Sequence, residues 1–286
     1  MAEFSAIARR GFLGCLAICA FFVTASVTSS SAAESYPGEI VLIPSSDGSV
    51  PMRTMVYRPA GNVASPLVVI SHGSSSSARL RAMQDLSHFK DLASWFVGRG
   101  YVVAVPQRPG HGETGGEWLE GAGACADPNY ERAGVAIAAT IATTIDYMVR
   151  QPRVRPDGVI LVGHSAGAWG ALALASQNPK AVKAVIDFAG GLGGRSYDQP
   201  NRNCAPDKLV STVEKFGRTA RIPTLWIYGK NDSYFGPELS NAMAAGFRNA
   251  GGRVEFQLLP ASGNEGHFLI YERRNWESVV DAFLRR

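Results

Sequence analysis

The stretch 159–167, with the sequence VILVGHSAG, decides the fold of this chain. Its first four residues form an unbroken apolar run, which is typical of a strand buried on both faces of a sheet. Ser165 follows between Gly163 and Gly167. Where a G-x-S-x-G pattern joins a strand to a helix, the serine occupies a tight turn and its hydroxyl is exposed at the edge of the sheet. We therefore predict that Ser165 is a nucleophile; the alternative is a glycine-rich helix start with a buried serine.

The rest of the chain repeats the same unit, a short β-rich run followed by a helical stretch. The first two runs flank a polar turn at 45–48 and predict a hairpin. The alternation predicts an α/β fold with a mostly parallel sheet of about eight strands, antiparallel at the N-terminal end, and helices on both faces. In such sheets ligands bind outside the carboxyl ends of the strands. The predicted strands are 39–43, 52–57, 66–70, 101–105, 159–162, 181–188, 224–228 and 254–259; the predicted helices are 86–97, 130–150, one from 166, 208–215, 237–250 and 276–284.

Residues 1–33 have the features of a secretory signal. Arg9 and Arg10 precede an uncharged stretch, and small residues stand at Ser31 and Ala33. This pattern predicts cleavage after Ala33 and a periplasmic or secreted protein without stable membrane insertion, and the paired arginines resemble a twin-arginine export signal. An uncleaved membrane anchor is the alternative. Residues 34–286 contain no linker or repeat and are predicted to form a single domain with this α/β fold.

Composition excludes several other classes of protein. The chain has 286 residues, of which 46% are hydrophobic and 18% charged, and its formal net charge is +4. These values exclude intrinsic disorder for most of the chain, and the absence of a basic block argues against a nucleic-acid partner. No cysteine or histidine spacing matches a zinc motif, so neither a metal nor a cofactor is expected. The composition leaves the oligomeric state open.

Two residues after later strands are candidates for the groups that activate a serine. His267 follows the last predicted strand, and an imidazole that titrates near neutrality suits the role of general base. Asp232 comes directly after the run 224–228 and would orient the imidazole. The chain order Ser165, Asp232, His267 is the one that hydrolases of this architecture use. Asp187, at the end of the preceding strand, is the alternative acid; its other interpretation is a buried cap of nearby N–H groups.

An oxyanion hole is predicted from the loop after the run 66–70. Ser74 would present its backbone N–H opposite that of Ala166, the residue after the nucleophile. The alternative is a plain Gly/Ser turn with no catalytic role.

Five motifs follow one another along the chain: His72-Gly73, Pro109-Gly110-His111-Gly112, the elbow at 163–167, the turn at 229–232 and Gly266-His267. This is the order found in the α/β-hydrolase superfamily, and on these motifs residues 34–286 are predicted to form a single α/β-hydrolase domain. The chain most resembles dienelactone-hydrolase-related esterases and the catalytic domains of prolyl-oligopeptidase-type enzymes. Dienelactone hydrolases proper use a cysteine nucleophile, whereas this elbow carries Ser165, so the resemblance implies a serine hydrolase.

Two long loops are expected to surround the site, because both follow strands of the parallel sheet. The loop 107–130 carries Arg108, Trp118 and Cys125, and the loop after Phe188 carries Cys204. Arg108 and Trp118, together with Tyr234 and Phe235 beyond Asp232, are candidate substrate-pocket residues; the two aromatic residues alternatively cover the following helix. Because both loops lie on one rim, a disulfide between Cys125 and Cys204 is predicted for an exported protein, with two free thiols as the alternative.

We expect from these patterns an exported serine hydrolase that cleaves small-molecule carboxylic esters with short or medium acyl groups. A peptidase or an acyltransferase on the same triad is one alternative. A non-catalytic binding protein that retains the fold is the other.

Overall fold

Eight strands form one sheet, and each corresponds to a strand predicted from the sequence. The computed structural model describes residues 36–286, without the side chains of residues 87 and 88. The predicted signal at 1–33 therefore lies outside the described residues. The strands are β1 (Gly38–Pro44), β2 (Pro51–Tyr57), β3 (Leu67–Ser71), β4 (Val102–Pro106), β5 (Val159–His164), β6 (Val182–Phe188), β7 (Thr224–Gly229) and β8 (Val254–Leu259).

The sheet is antiparallel only at its N-terminal end, as predicted. Its strand order is β1-β2-β4-β3-β5-β6-β7-β8, with β2 antiparallel to both β1 and β4 and all other pairs parallel. The central strands end in register, with Ser71 of β3 beside Gly163 of β5 and Phe188 of β6 beside His164. The loops after β3, β5 and β6 therefore begin at one edge of the sheet.

Helices cover both faces of the sheet and bury two separate hydrophobic clusters. One cluster contains Trp169 and Phe216 from helices on the first face, and the other contains Phe96 and Trp276 from helices on the second. Successive residues of β3 alternate between the clusters, as strand geometry requires. The helices are α1 (Ala78–Ala82), α2 (Lys90–Val97), α3 (Tyr130–Met148), α4 (Ala166–Ala175), α5 (Pro206–Thr219), α6 (Pro237–Asn249) and α7 (Arg273–Leu284).

The region before α2 differs from the sequence prediction. The predicted helix 86–97 is a 3₁₀ turn over Leu86–Phe89 followed by α2, and the short helix α1 was not predicted. A 3₁₀ turn at the start of an α-helix is common. The first N–H groups of an α-helix have no partner within the helix, and the preceding turn can supply acceptors for them. Within residues 36–286, no helix combines the length and apolar character needed to cross a bilayer.

A disulfide joins the two long loops at the carboxyl edge of the sheet. Cys125, in the loop after β4, is bonded to Cys204, in the loop after β6, across 79 residues of sequence. The predicted bridge is therefore present, and it fixes the second loop at the start of α5.

Candidate active site

Ser165 lies on a strained turn between β5 and α4. Its φ and ψ are 53° and −122°, a conformation that few residues other than glycine adopt. The turn closes because its neighbours have no side chains. A Cβ on Gly163 would lie 2.2 Å from the Ala168 Cα, and one on Gly167 would lie 2.0 Å from the Ser71 carbonyl oxygen. The pattern of small residues thus has a direct steric cause, and Ser165 is left half-buried.

His267 and Asp232 form a buried hydrogen-bonded pair. His267 lies in the 3₁₀ segment Gly266–Tyr271 after β8, and its Nδ1 is 3.2 Å from Oδ2 of Asp232. The other carboxylate oxygen accepts hydrogen bonds from the N–H groups of Tyr234 (2.7 Å) and Phe235 (2.9 Å). Both residues of the pair are 2% exposed. An imidazole that donates from Nδ1 to a carboxylate retains Nε2 as its basic nitrogen.

The elbow touches the His267 loop through the residue before the serine. Nε2 of His164 donates to the His267 carbonyl oxygen at 2.9 Å, and the two rings are 5.0 Å apart. Burial and the neighbouring His267 lower the pKa of His164 to about 3, so this donor is neutral at ordinary pH. Within residues 36–286 no hydrogen bond joins the Ser165 hydroxyl to His267. Such bonds are often long in unliganded sites and shorten on substrate binding.

Asp187, the alternative acid, has a different role. Its Oδ1 accepts the N–H of Gly190 at 2.7 Å, while Oδ2 has no partner within the described chain. Complete burial raises its pKa to about 8, so the side chain is a neutral acid near pH 7. A protonated carboxyl that caps its own turn is poorly suited to stabilising an imidazolium, and the hydrogen bond of Asp232 to His267 favours that residue instead.

The loop after β3 passes directly beside Ser165. A Cβ on Gly73 would lie 3.3 Å from the Ser165 Cβ. Ala166 is the first residue of α4, where backbone N–H groups have no partner within the helix. Among the described residues, neither its N–H nor that of Ser74 is hydrogen-bonded. Two free N–H groups on segments that meet at Ser165 are compatible with an oxyanion hole.

Arg108 is a correction to the predicted pocket. Its side chain is fully buried and forms a bidentate ion pair with Glu120, which is also buried. Nη1 of Arg108 also donates to the Ser71 hydroxyl (3.0 Å) and the His72 carbonyl (2.6 Å). The prediction that Arg108 lines the pocket is wrong, because the guanidinium has no exposed surface and instead fixes the end of β3.

The three aromatic candidates have different environments. Tyr234 stacks on the His267 imidazole, with ring centroids 4.1 Å apart, and is half-buried. Phe235 is 1% exposed and its ring lies 5.6 Å from the same imidazole, so it packs against His267 rather than lining an open pocket. Trp118 is half-buried beneath the Arg81 guanidinium, 3.7 Å from its ring centroid. Pocket roles for Tyr234 and Trp118 stay predictions.

The sequence analysis did not identify Glu265, which joins the loop that carries Asp232 to the loop that carries His267. Its Oε1 accepts the N–H groups of Ser233 (2.9 Å) and His267 (3.1 Å), and Oε2 accepts the Ser233 hydroxyl. Arg195 approaches Oε2 at 3.6 Å and also donates to the Ser233 hydroxyl. An acidic residue two positions before the candidate base was the available signal. In the described part of the chain, no three His, Cys, Asp or Glu side chains are grouped to hold a metal ion.

The sheet order, the strained elbow serine and the buried Asp–His pair at one edge together define an α/β-hydrolase. Residues 52–278 match the dienelactone hydrolase family, and the chain belongs to that family. It is therefore a hydrolase by family.

Comparisons with known proteins support the same fold. The structure is similar to the esterase Pf2001 of Pyrococcus furiosus, with 16% identity and a TM-score of 0.62 over 88% of this chain and 93% of the esterase. It is also similar to the acylaminoacyl peptidase of Pyrococcus horikoshii, with 15% identity and a TM-score of 0.61 over 88% of this chain but 42% of the peptidase. No curated protein matches the chain in sequence.

Proposed function

We propose that this protein is an exported serine hydrolase that cleaves carboxylic esters of small or medium acyl groups. The observation that carries the proposal is the buried hydrogen bond between His267 and Asp232, on a loop that also bonds to the residue before Ser165. A carboxylate, an imidazole and a strained serine at one sheet edge are the groups that acyl transfer to water requires.

The proposed reaction has two halves. The Ser165 Oγ attacks the ester carbonyl carbon while His267 Nε2 takes the hydroxyl proton, and Asp232 stabilises the imidazolium through Nδ1. The N–H groups of Ser74 and Ala166 stabilise the oxyanion. Collapse breaks the bond to the alkoxy group, which leaves as the alcohol with the proton from His267. Water, deprotonated by His267, then attacks the acyl-enzyme and releases the carboxylic acid and free Ser165.

Ester cleavage is favoured over peptide cleavage by the extent of the structural matches. The esterase Pf2001 is matched over nearly its whole length, whereas the match covers less than half of the acylaminoacyl peptidase. A periplasmic or extracellular location belongs to the same proposal, and the sequence of residues 1–33 and the Cys125–Cys204 disulfide support it.

The test is hydrolysis of p-nitrophenyl esters from acetate to long acyl chains by the purified protein and by Ser165→Ala. We expect hydrolysis in the wild type, a loss of kcat of at least about 10³-fold in Ser165→Ala, and no loss in Ser211→Ala, a serine on the exposed surface of α5. A fluorophosphonate probe should label the wild type at Ser165 only. Activity that survives Ser165→Ala overturns the mechanism.

The same assay separates the alternatives. Transfer of the acyl group to an added alcohol in preference to water identifies an acyltransferase, and turnover of acylated peptides without ester turnover identifies a peptidase. Failure of the folded protein to react with the probe or any substrate identifies a binding protein.

A further inference from the structure

A hydrogen-bonded serine–histidine pair begins one residue beyond Gly73, which lies against the candidate nucleophile. The Ser74 Oγ is 2.8 Å from Nε2 of His111, which belongs to the loop after β4, 37 residues further along the chain. His111 is 0% exposed. Neither side chain belongs to the Ser165–His267–Asp232 group, so the pair needs its own explanation.

The hydrogen bonds of His111 fix the direction of the bond to Ser74. Its Nδ1 lies 3.2 Å from the Arg108 carbonyl oxygen and 3.1 Å from that of Pro109. Carbonyl oxygens only accept, so Nδ1 must carry the proton and Nε2 must be the acceptor in the neutral ring. The Ser74 hydroxyl therefore donates to Nε2, and its proton is not free to point toward a substrate.

The imidazole remains neutral under ordinary conditions. Burial and the Arg108 guanidinium lower the pKa of His111 to about 4, although Glu120 and the two carbonyl groups oppose that shift. A neutral acceptor held by the backbone is a fixed anchor for the Ser74 hydroxyl. The ring also packs against His72, with ring centroids 4.8 Å apart.

The rest of the loop after β3 is fixed by the same segment. The Arg108 N–H donates to Nε2 of His72 at 3.1 Å, and the Arg108 guanidinium donates to the His72 carbonyl oxygen. These bonds fix the backbone at His72, and the Gly73 carbonyl oxygen, in the same peptide unit as the Ser74 N–H, accepts from Nδ1 of His72 (2.6 Å) and Nε2 of Gln84 (3.4 Å). The bond to His111 is the restraint that the Ser74 side chain itself adds.

We propose that His111 is a positioning residue that orients the backbone N–H of Ser74 toward the oxyanion by anchoring the Ser74 side chain. The inference rests on the proposed serine hydrolase function. It differs from a direct role of the Ser74 hydroxyl, because that hydroxyl is occupied by the bond to His111. Preorganised donors are effective only when their direction is fixed before the charge develops. Loss of the bond between Ser74 and His111 should therefore slow the chemical step and leave substrate binding unchanged.

The test is a double-mutant cycle on the full protein with a p-nitrophenyl ester. Ser74→Ala and His111→Ala should each lower kcat about tenfold with KM changed less than about twofold. The combined variant should lose no more than either single variant, because both remove the same bond. Ser74→Thr keeps a hydroxyl donor, so it should recover most of the kcat that Ser74→Ala loses.

The outcomes separate this inference from the function on which it rests. Activity that depends on Ser165 but has a normal kcat in Ser74→Ala, or losses that multiply in the combined variant, overturns the anchoring role alone. A loss that appears in KM and not in kcat does the same. Activity that survives Ser165→Ala overturns both proposals. If His111→Ala does not fold, the comparison of Ser74→Ala with Ser74→Thr decides the question, with equal thermal midpoints as the check on folding.

Discussion

Arg108 illustrates how a single charged residue at the carboxyl edge of the sheet can stabilise the scaffold instead of contacting a substrate. Its charge is completely buried, and it is compensated by Glu120 and by two oxygen acceptors at the end of β3. A buried charge is tolerated only when its partners are present.

Removal of the Glu120 charge should therefore lower the stability of the folded protein. We expect Glu120→Gln to lower the free energy of unfolding by about 3 kcal/mol, because the Arg108 charge is left buried without its counter-charge. Glu113→Gln is the matched control, since Glu113 pairs with Arg53 at the surface and 75% of the Glu113 side chain is exposed. This variant should lower the free energy of unfolding by less than about 1 kcal/mol. Chemical denaturation of the three proteins measures the difference, and equal losses would contradict the buried-pair interpretation.

Asp187 gives a prediction about pH. The folded protein keeps its carboxyl proton up to a pH of about 8, whereas the ordinary value of 3.8 applies when the chain unfolds. Unfolding between these values releases a proton, so this group makes stability fall as the pH rises through that range. The stability of the wild type relative to Asp187→Asn should fall by about 1.4 kcal/mol per pH unit between pH 5 and 7.

A second aspartate serves as the control for this pH series. Hydrogen bonds from Ser45 and Ser49 lower the pKa of Asp47 to about 2, so Asp47→Asn should show no pH-dependent difference between pH 5 and 7. Urea unfolding of each variant at several pH values provides the measurement. A flat difference for Asp187→Asn would mean that the buried carboxyl is ionised.

The residues that sequence could predict are those marked by a turn. Ser165, Asp232 and His267 each follow a strand in a short polar segment, and the parallel topology then places them at one edge. Glu265 and the role of Arg108 could not be predicted in this way, because their partners are set by how separate loops pack. Arg108 was misassigned because a charged residue after a strand has the same pattern whether it faces solvent or a buried carboxylate.

At the scale of elements, the decisive contact is the close approach of α4 to the end of β3. It depends on Gly167, whose missing side chain leaves room for the carbonyl oxygens of Ser71 and His72, 2.0 and 2.4 Å from where a Cβ would stand. The same contact places the Ser165 turn against the predicted oxyanion loop.

Gly167→Ala should therefore lower stability by about 3 kcal/mol or more, because either the helix or the strand end must move. Gly98→Ala is the matched control: Gly98 has helical φ and ψ, and its added Cβ would be 3.4 Å from the nearest atom, an ordinary contact. That variant should lose no stability. Thermal unfolding of both variants tests the contrast, and a wild-type midpoint for Gly167→Ala would refute the steric argument.

The strands were easier to predict than the first helices. Apolar runs of five or six residues between polar turns predict strands because both faces of the sheet are covered. The segment containing α1 and the 3₁₀ turn has only a weak apolar pattern, and its shape depends on contacts such as the bonds from Arg81 to the carbonyls of Ser75 and Ser76. Local pattern carries no information about such contacts.

For the whole molecule, the two long loops act as one unit because Cys125 and Cys204 are bonded. The loop after β6 also carries Arg195, which contacts Glu265 and Ser233 next to His267. The bridge therefore restrains both the unfolded chain and the surroundings of the candidate base. The sequence predicted the pairing from shared position on the rim, but the path of each loop depends on packing that no local pattern encodes.

Loss of the bridge should lower stability by about 2–4 kcal/mol, since it closes a loop of 79 residues. We expect Cys125→Ser/Cys204→Ser to unfold at a midpoint lower by roughly 5–10 °C. Dithiothreitol should lower the wild-type midpoint by a similar amount and leave that of the double variant unchanged. If the reductant has no effect on the wild type, the two thiols are not joined in the folded protein.

The hydrogen bond from His164 to the His267 carbonyl gives the molecule an internal spectroscopic reporter. The proton on Nε2 of a neutral, buried imidazole exchanges slowly with solvent, so its nuclear magnetic resonance signal is observable without any ligand. Because that proton is bonded to the segment that carries His267, the proposed base, its chemical shift would register displacement of the segment in any variant. A variant that shifts this signal has a displaced His267 segment, whereas a variant that lacks only a reacting group leaves the signal unchanged. The two cases could thus be distinguished without an activity assay.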